Sequence, residues 1–370
     1  MRIVFWQNLL SFYQVPHITA LAAHPNVEVT WVVQEIINPD RIAQGWKVPE
    51  VYGVQVVVAP DNAAIHRLVS ERPEDSVHIF TGIHQDPIAR KAFYLCVKSS
   101  AKIGLLVEPP FPGRLRNLIS PVLHWSHRLV YGKRISVIMA MGHMAVDFYK
   151  SIGYPDTVVF PYGYFPPKPF SSGGELPTEG AVEIMYLGQL IERKGVDILL
   201  NALSALTDLD WFLTIVGGGD QKDALMAQAK RLGLESRLRF HASLENETAM
   251  EMIEKRDIFV LPSRHDGWGV VVNEALMRGV PVICSDHCGA LDLLGESWRG
   301  EAFEAGSVSN LARVLRRWIS RGKRTDAEAE RICSWSHCIE GNVAADYLLK
   351  AIRSSLFQEP SPIPPWQTRS

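Results

Sequence analysis

Short apolar runs rich in valine and isoleucine recur along the chain, alternating with longer stretches in which apolar residues return every three or four positions. A short continuous apolar run suits a strand buried on both faces, and the longer period suits an amphipathic helix. The alternation therefore predicts parallel sheets crossed by helices. In the first half the expected strands are "RIVFW", "VEVTWVV", "VQVVVA", "VHIFTG", "KIGLLVE", "ISVIMAM" and "TVVFPY". The alternation then starts afresh with "VEIMYLG", "WFLTIVG", "LRFHA", "DIFVLPS" and "PVICSD", separated by helical periods near 195–206, 221–233, 245–255 and 270–279. The fold class this predicts is α/β, with two Rossmann-like doubly wound domains facing each other across a cleft at the carboxyl ends of their strands.

Proline and glycine crowd between Pro155 and Ala181, a composition unsuited to a packed layer, and this places the joint. The expected boundaries are 1–168 for the first domain and 182–335 for the second. A helix over 336–357 is expected to return to the first domain, and a Pro-rich tail, 358–370, is expected to be disordered.

Composition narrows the function classes. With 370 residues and 47% hydrophobic content the chain can bury two cores, and a net charge of −2 gives no general attraction to nucleic acid. One local exception stands out. Between Glu108 and Asp147 there is no acidic residue, while Arg114, Arg116, Arg128, Lys133 and Arg134 alternate with Phe111, Leu115, Leu118, Ile119, Leu123, Trp125 and Leu129. Such a segment, 111–134, fits either peripheral docking on an anionic membrane surface or an amphipathic core helix. The opening "MRIVFWQNLL" is too short an apolar stretch for a signal peptide or a spanning helix, so a cytoplasmic location is expected, peripheral to the inner face of the plasma membrane if the segment docks. Five cysteines, an odd number, suggest reduced thiols, and the spacings of Cys284, His287, Cys288, Cys333, His337 and Cys338 match no zinc pattern, so no metal is expected.

Three stretches carry candidate chemistry. "IVGGGD" ends a strand with Gly217, Gly218 and Gly219, either exposing amides to a phosphate or making a tight turn; Lys222 stands where a dinucleotide fingerprint needs glycine, which weakens a dehydrogenase reading. "YLGQLIERKGVD" puts Arg193 and Lys194 at a helix start, where a basic pair is unfavourable unless an anion shares the site; the alternative is solvated charge beside Glu192. "HDGWGVVVNEALMRGVPV" places Asp266 and two glycines before a helix, so the amides of Val270 and Val271 can meet an anion. Glu274 then lies on a largely apolar helical face. Its carboxylate needs donors, which ribose hydroxyls or Arg278 at i+4 could supply.

Asp266 with Glu274 eight positions on, followed by "ALMRGVPV", resembles the E-x7-E motif of retaining GT-B glycosyltransferases of family 4, the glycosyl transferases group 1. "LGQLIERKGVDILLNAL", "IVGGGD", "LRFHASL" and "DIFVLPS" resemble successive blocks of the same family over about residues 182 to 290. Over the N-terminal half the resemblance is one of architecture. It implies a GT-B fold, a nucleotide-sugar donor bound by the C-terminal domain, an acceptor held by the N-terminal domain, and transfer with retention and without metal or other cofactor. Carried across, it puts Glu274 on the ribose hydroxyls and Lys194 on the diphosphate, helped by the amides of Val270 and Val271. Asp266, Gly267, Trp268 and Gly269 line the transferred sugar, and the backbone of His241, Ala242 and Leu244 grips the base. Gly163 matches the family's Pro-Asn-Gly turn.

Four departures accompany this resemblance. Asp266 replaces the usual glutamate. Gln189 stands where an arginine is common, passing the phosphate contact to Arg193. Glu108 stands where the family often carries histidine, and "WQNLLSFYQVPH" lacks a glycine pair. Glu108 ends an apolar strand before Pro109 and Pro110, so it could take hydroxyl bonds from the acceptor or donor sugar or stabilise positive charge at the anomeric carbon, or pair with Arg114. His17 and His84 are weaker candidates for acceptor contacts.

The function expected is transfer of a hexose, glucose-like by family frequency, from a UDP-sugar to a glycan or lipid-linked saccharide, with GDP-mannose as the alternative donor and Glu108, Asp266, Arg193 and Lys194 as the reacting set. The rival readings are a GT-B epimerase, a non-catalytic nucleotide-sugar-binding partner and, fourth, a dehydrogenase.

Overall fold

The computed structural model describes residues 1–38, 48–82, 86–110, 116–169 and 178–368, with only the main chain described for 116–121. The chain divides into two compact units. One is built from residues up to Pro167 and those after His337, the other from Lys168–His337.

In the first unit β1 (Arg2–Leu9), β2 (Glu28–Glu35), β3 (Gln55–Val58), β4 (Ser76–Phe80), β5 (Lys102–Val107), β6 (Ile135–Met141) and β7 (Val159–Tyr162) form one sheet in the order β3-β2-β1-β4-β5-β6-β7. All of its pairings are parallel. In the second unit β8 (Val182–Leu187), β9 (Trp211–Val216), β10 (Leu238–His241), β11 (Ile258–Leu261), β12 (Val282–Ser285) and β13 (Gly300–Phe303) are ordered β10-β9-β8-β11-β12-β13, again parallel. Each sheet thus reverses its winding direction once, between β1 and β4 and between β8 and β11. That reversal is the point at which doubly wound sheets open a crevice for ligands.

The central strands are buried along nearly their whole length, as in β4 and β11, where every residue is buried. Helices covering both faces of a sheet account for this, and for apolar runs that do not alternate. β13 escapes the strand pattern because only two of its four residues are buried. At the amino end of the second sheet Asp257, itself buried, accepts hydrogen bonds from the amides of Glu183 (2.7 Å) and Arg324 (3.0 Å) and pairs with Lys323.

The C-terminal helix Gly341–Phe357 packs along Val15–Ala22 of the first unit. A side chain at Gly341 would lie 2.4 Å from Pro16 Cβ, so glycine permits this approach. The expectation of a disordered tail over 358–370 is corrected as far as Thr368. Trp366 is only 2% exposed, with its ring 6.0 Å from Phe165 and 5.8 Å from Tyr347. Burial of one indole outweighs the ordering cost of a short segment whose prolines already restrict the backbone. Composition averages over the segment and hides that single anchor.

His17 is likewise corrected. It is buried at the start of its helix against Phe5, Tyr162 and Phe165, and burial pushes its pKa down to about 3. A ring so enclosed serves packing and is not available to an acceptor. His84 lies outside the described residues.

Candidate functional site

The loops after β8 and β11, the two strands at the second sheet's reversal, are laced together. After β8 the chain makes a 3-10 turn, Glu192–Lys194, closed by Gly195 at φ +69°. A Cβ at Gly195 would fall 2.1 Å from the Pro262 carbonyl oxygen, so the turn can seat against the end of β11 only with glycine there. The amide of Arg264 donates to the Arg193 carbonyl (2.8 Å), and Arg193 Nη1 donates to the His265 carbonyl (2.9 Å). Arg264 itself forks onto Asp197, with both nitrogens at 2.7 Å, and reaches the Glu192 carbonyl at 2.8 Å. This bidentate pair fixes the lacing geometry.

Within the lacing, Lys194 Nζ lies 2.5 Å from Asp266 Oδ2 and Arg193 Nη1 lies 3.8 Å from Asp266 Oδ1. Three sequence candidates are therefore brought to one point although 72 residues separate Lys194 from Asp266. Lys194 and Asp266 are largely enclosed. Two cations facing one carboxylate leave a net positive charge, and reduced solvent contact strengthens its pull on an anion.

Asp266 is held from behind by a parallel bridge to Cys288, with its amide donating to the His287 carbonyl (2.9 Å) and its carbonyl accepting from Gly289 (3.1 Å). Gly267 lies close under Gly289, where a Cβ would meet the Gly267 oxygen at 2.2 Å. Gly269 adopts φ +89° between Cys288 and Leu261. The helix Val271–Leu276 follows, and its first amides engaged within the turn are those of Val272, to Gly269, and Glu274, to Val270. The Val270 and Val271 amides precede those bonds, at the mouth of the helix. Glu274 is buried, and Arg278 reaches its main-chain carbonyl at 3.4 Å.

Trp268 is a correction. Its ring is turned into the unit, 2% exposed, and its Nε1–H is spent on Asn273 Oδ1 at 2.8 Å, so it supports the loop from inside and does not line a sugar. An aromatic beside glycines reads as a sugar platform in sequence. Its buried amide partner five residues on was the missing signal. Asn273 and Arg264 support these loops, and sequence reasoning missed both.

The glycine loop also differs from the expected phosphate cradle. The Gly217 amide donates to the His241 carbonyl (3.2 Å), the Gly218 carbonyl accepts from Leu190 (2.8 Å), and a Cβ at Gly217 would fall 1.9 Å from the Gly188 oxygen. These glycines let the loops after β8, β9 and β10 touch backbone to backbone; the Gly217 amide is not free for phosphate. Gln189 is exposed, its carbonyl taking the Tyr186 hydroxyl at 2.7 Å. His241 and Leu244 are partly buried and Ala242 is exposed on the segment that follows β10.

On the first unit, Glu108 is exposed beyond β5 and accepts a hydrogen bond from the Tyr164 hydroxyl at 2.8 Å. Its sequence alternative, Arg114, lies outside the described residues. Asp208 is paired with Arg316 at 2.6 Å. Among the described residues no cluster of His, Cys, Asp or Glu is placed to hold a metal ion, and no helix is long and apolar enough to cross a membrane.

The model of the family described as glycosyl transferases group 1 matches residues 170–332, the stretch that carries all of this lacing. Residues 170–332 form a glycosyl transferases group 1 domain. Among curated proteins, the chain is similar to glycogen synthase of Mycobacterium tuberculosis, 31% identical over 142 residues, covering 38% of this chain and 34% of that protein. It is also similar to the lipopolysaccharide core biosynthesis glycosyltransferase LpsE of Rhizobium meliloti, 27% identical over 157 residues, covering 42% of this chain and 45% of that one. The matched part thus spans less than half the length of these relatives.

Solved structures extend the likeness in fold to nearly the whole chain. The Anabaena protein Alr3699/HepE in complex with UDP aligns with a TM-score of 0.70 at 15% identity, covering 96% of this chain and all of that one. The lipopolysaccharide outer core galactosyltransferase WaaB in its apo form aligns with a TM-score of 0.70 at 17% identity and the same coverage. The pair of Rossmann-like units is the GT-B fold.

Proposed function

We propose that this protein is a metal-independent, retaining glycosyltransferase that moves a hexose from a nucleoside-diphosphate sugar to a glycan or lipid-linked saccharide. The observation that carries this reading is the cluster of Lys194, Arg193 and Asp266 at the winding reversal of the second sheet. A diphosphate arriving there meets two cations and only one carboxylate, and Lys194 turns from Asp266 toward the phosphate oxygens. As the bond from the anomeric carbon to the diphosphate breaks, its electron pair goes to the leaving phosphate, where Lys194, Arg193 and the Val270 and Val271 amides stabilise it. Asp266, released from Lys194, accepts hydroxyls of the transferred sugar, and the acceptor oxygen bonds to the carbon on the face being vacated as its proton passes to the leaving phosphate oxygen.

Glu274 takes the ribose hydroxyls, whose donors offset the cost of its burial. Gln189, His241, Ala242 and Leu244 flank the nucleotide, while Gly217 and Gly218 act by holding the neighbouring loops in place. Glu108 of the first unit binds acceptor hydroxyls. UDP is favoured as the base-carrying half, supported by the UDP complex of the similarly folded Anabaena protein, with GDP-mannose the alternative donor.

The helix Arg116–Tyr131 exposes Val122, Trp125, Leu129 and Val130, which supports peripheral docking of segment 111–134 on an anionic membrane at the cytoplasmic face. Two of its cations are already engaged, Arg128 with the Gly153 carbonyl and Arg134 with the Cys96, Ser99 and Ala101 carbonyls, so apolar contact carries more of this docking than charge.

A thermal-shift panel of UDP, GDP, ADP and their sugars tests the donor site. One nucleotide raises the melting temperature, and Glu274→Ala abolishes that rise. Silence from every nucleotide would overturn the reading. Nuclear magnetic resonance of the product anomeric proton then reports retention.

A further inference from the structure

The segment after β7 does not leave the first sheet directly. β7 is the outermost strand, four places from β1, yet the Phe165 amide donates to the Tyr13 carbonyl in the loop after β1, at 3.4 Å. The loop after β1 and the segment after β7 therefore meet. Their meeting brings the Tyr13 and Tyr164 rings to 6.4 Å, inclined at 59°, with Phe12 edge-on to Tyr13 at 5.9 Å. It also delivers the Tyr164 hydroxyl to Glu108, which stands exposed at the end of β5. Both tyrosines are partly buried, so they are anchored yet keep surface.

We propose that Tyr13, Tyr164 and Glu108 form a saccharide subsite that takes one neutral pyranose ring of the acceptor. The C–H face of a pyranose is apolar and suits an aromatic ring, while its hydroxyls suit a carboxylate that accepts more than one hydrogen bond. Aromatic surface and carboxylate here are coupled by a single bond. Tyr164 is thus both a stacking surface and the positioning residue for Glu108, holding one oxygen and leaving the carboxylate oriented. The exposed carboxylate of Glu108 disfavours a phosphate- or carboxylate-bearing sugar by like-charge repulsion. The proposal rests on the reading of the protein as a glycosyltransferase, for which it names the acceptor's class.

Saturation-transfer nuclear magnetic resonance tests it, with methyl α-D-glucopyranoside and maltotriose as probes, glucuronic acid as the charged control, and UDP-induced thermal shift as a separate readout of the donor site. Irradiating aromatic protons saturates ring-face protons of the neutral probes and not those of glucuronic acid. Tyr13→Ala and Tyr164→Ala reduce that transfer at least fivefold, while the UDP shift stays as in the wild type and shows the variants to be folded. Tyr164→Phe keeps the ring-face signal but weakens probe binding several-fold, as does Glu108→Gln, an effect a merely structural tyrosine would not share with the carboxylate. Equal transfer in wild type and alanine variants, or no transfer to either neutral probe, overturns the subsite. Loss of the UDP shift in the wild type with transfer retained overturns the donor reading and leaves the subsite standing.

Discussion

Both units wind their strands in the same order through the first six, but they furnish the carboxyl ends of those strands in different ways. In the second unit the loops touch through main chain: Gly195 under Pro262, Gly217 under Gly188, Gly289 over Gly267. In the first unit they meet through rings, with Tyr13 beside Tyr164 and Phe12 beside Tyr13. Backbone contact places a small number of charges with little freedom, as a diphosphate needs. Ring contact offers area and tolerates different partners. One scaffold thus carries two kinds of loop contact, and the proposed diphosphate site and saccharide subsite draw on them separately.

Acid should separate the units most strongly. His17 and His78 are both buried in the first unit, and burial, joined at His78 by nearby Arg2, pushes each pKa down to about 3. His78 accepts the Trp6 indole N–H at Nδ1, a bond available only to the neutral ring. Their folded values lie below the unfolded one, so the unfolded chain binds more protons between pH 6.5 and 3, and stability falls as pH falls through that window. The slope reaches about 1.4 kcal/mol per pH unit for each histidine. Hydrogen exchange should therefore open peptides around Val15–Ala22 before those around Lys222–Arg231 as pH drops from 7 to 4, and His17→Phe should flatten the response. Equal loss of protection in both units would erase the distinction.

Trp366→Ala is next, removing the indole that pins the tail to Phe165 and Tyr347. A loss of about 3–5 kcal/mol is expected by analogy with other buried aromatic truncations, confined to the first unit. A urea titration followed by exchange in both units checks it, and an unchanged first-unit midpoint would return the tail to an incidental role.

At the second unit's site, Lys194→Ala should lower kcat/KM for the winning nucleotide sugar by about 100- to 1000-fold, the scale seen when one preorganised stabilising group is lost. The melting temperature should hold, because Asp266 keeps Arg193 nearby. Assay of released nucleoside diphosphate reads this directly.

The smallest effect distinguishes packed from open glycines. Gly195→Ala forces a Cβ against the Pro262 carbonyl, whereas Gly153, at φ +95°, has nothing within 4 Å of the same atom. The first substitution should cost about 2–3 kcal/mol and the second only about 1 kcal/mol of backbone strain. Thermal melts of the two variants side by side sharpen the contrast, and equal costs would mean that φ alone, not close approach, explains Gly195.

The central strands were legible because an apolar run buried on both faces carries its own signal, as in "SVHIF" and "IFVL"; the edge strands β3 and β10 were legible from their apolar and aromatic runs although they are largely exposed or half-buried. β13 was not, since its half-buried "GEAF" has no run to read. Lys194, Asp266 and Glu274 could be singled out by charge placed against local structure. That Trp268 faces inward could not, because its partner Asn273 looks like any polar helical residue until the helix is docked. The need of Gly217 for unusual backbone was readable; that it answers to Gly188 and His241, not to a phosphate, was not.

Local order of apolar and polar residues thus determined the elements and their parallel winding, because periodicity and burial act over a few neighbouring positions. Only the tertiary structure decided which side chains share a carboxylate or a ring, as when Lys194 meets Asp266 across 72 residues and Tyr164 meets Glu108 across 56. Such meetings depend on where distant loops cross the ends of a sheet, and short-range pattern contains no term for that distance.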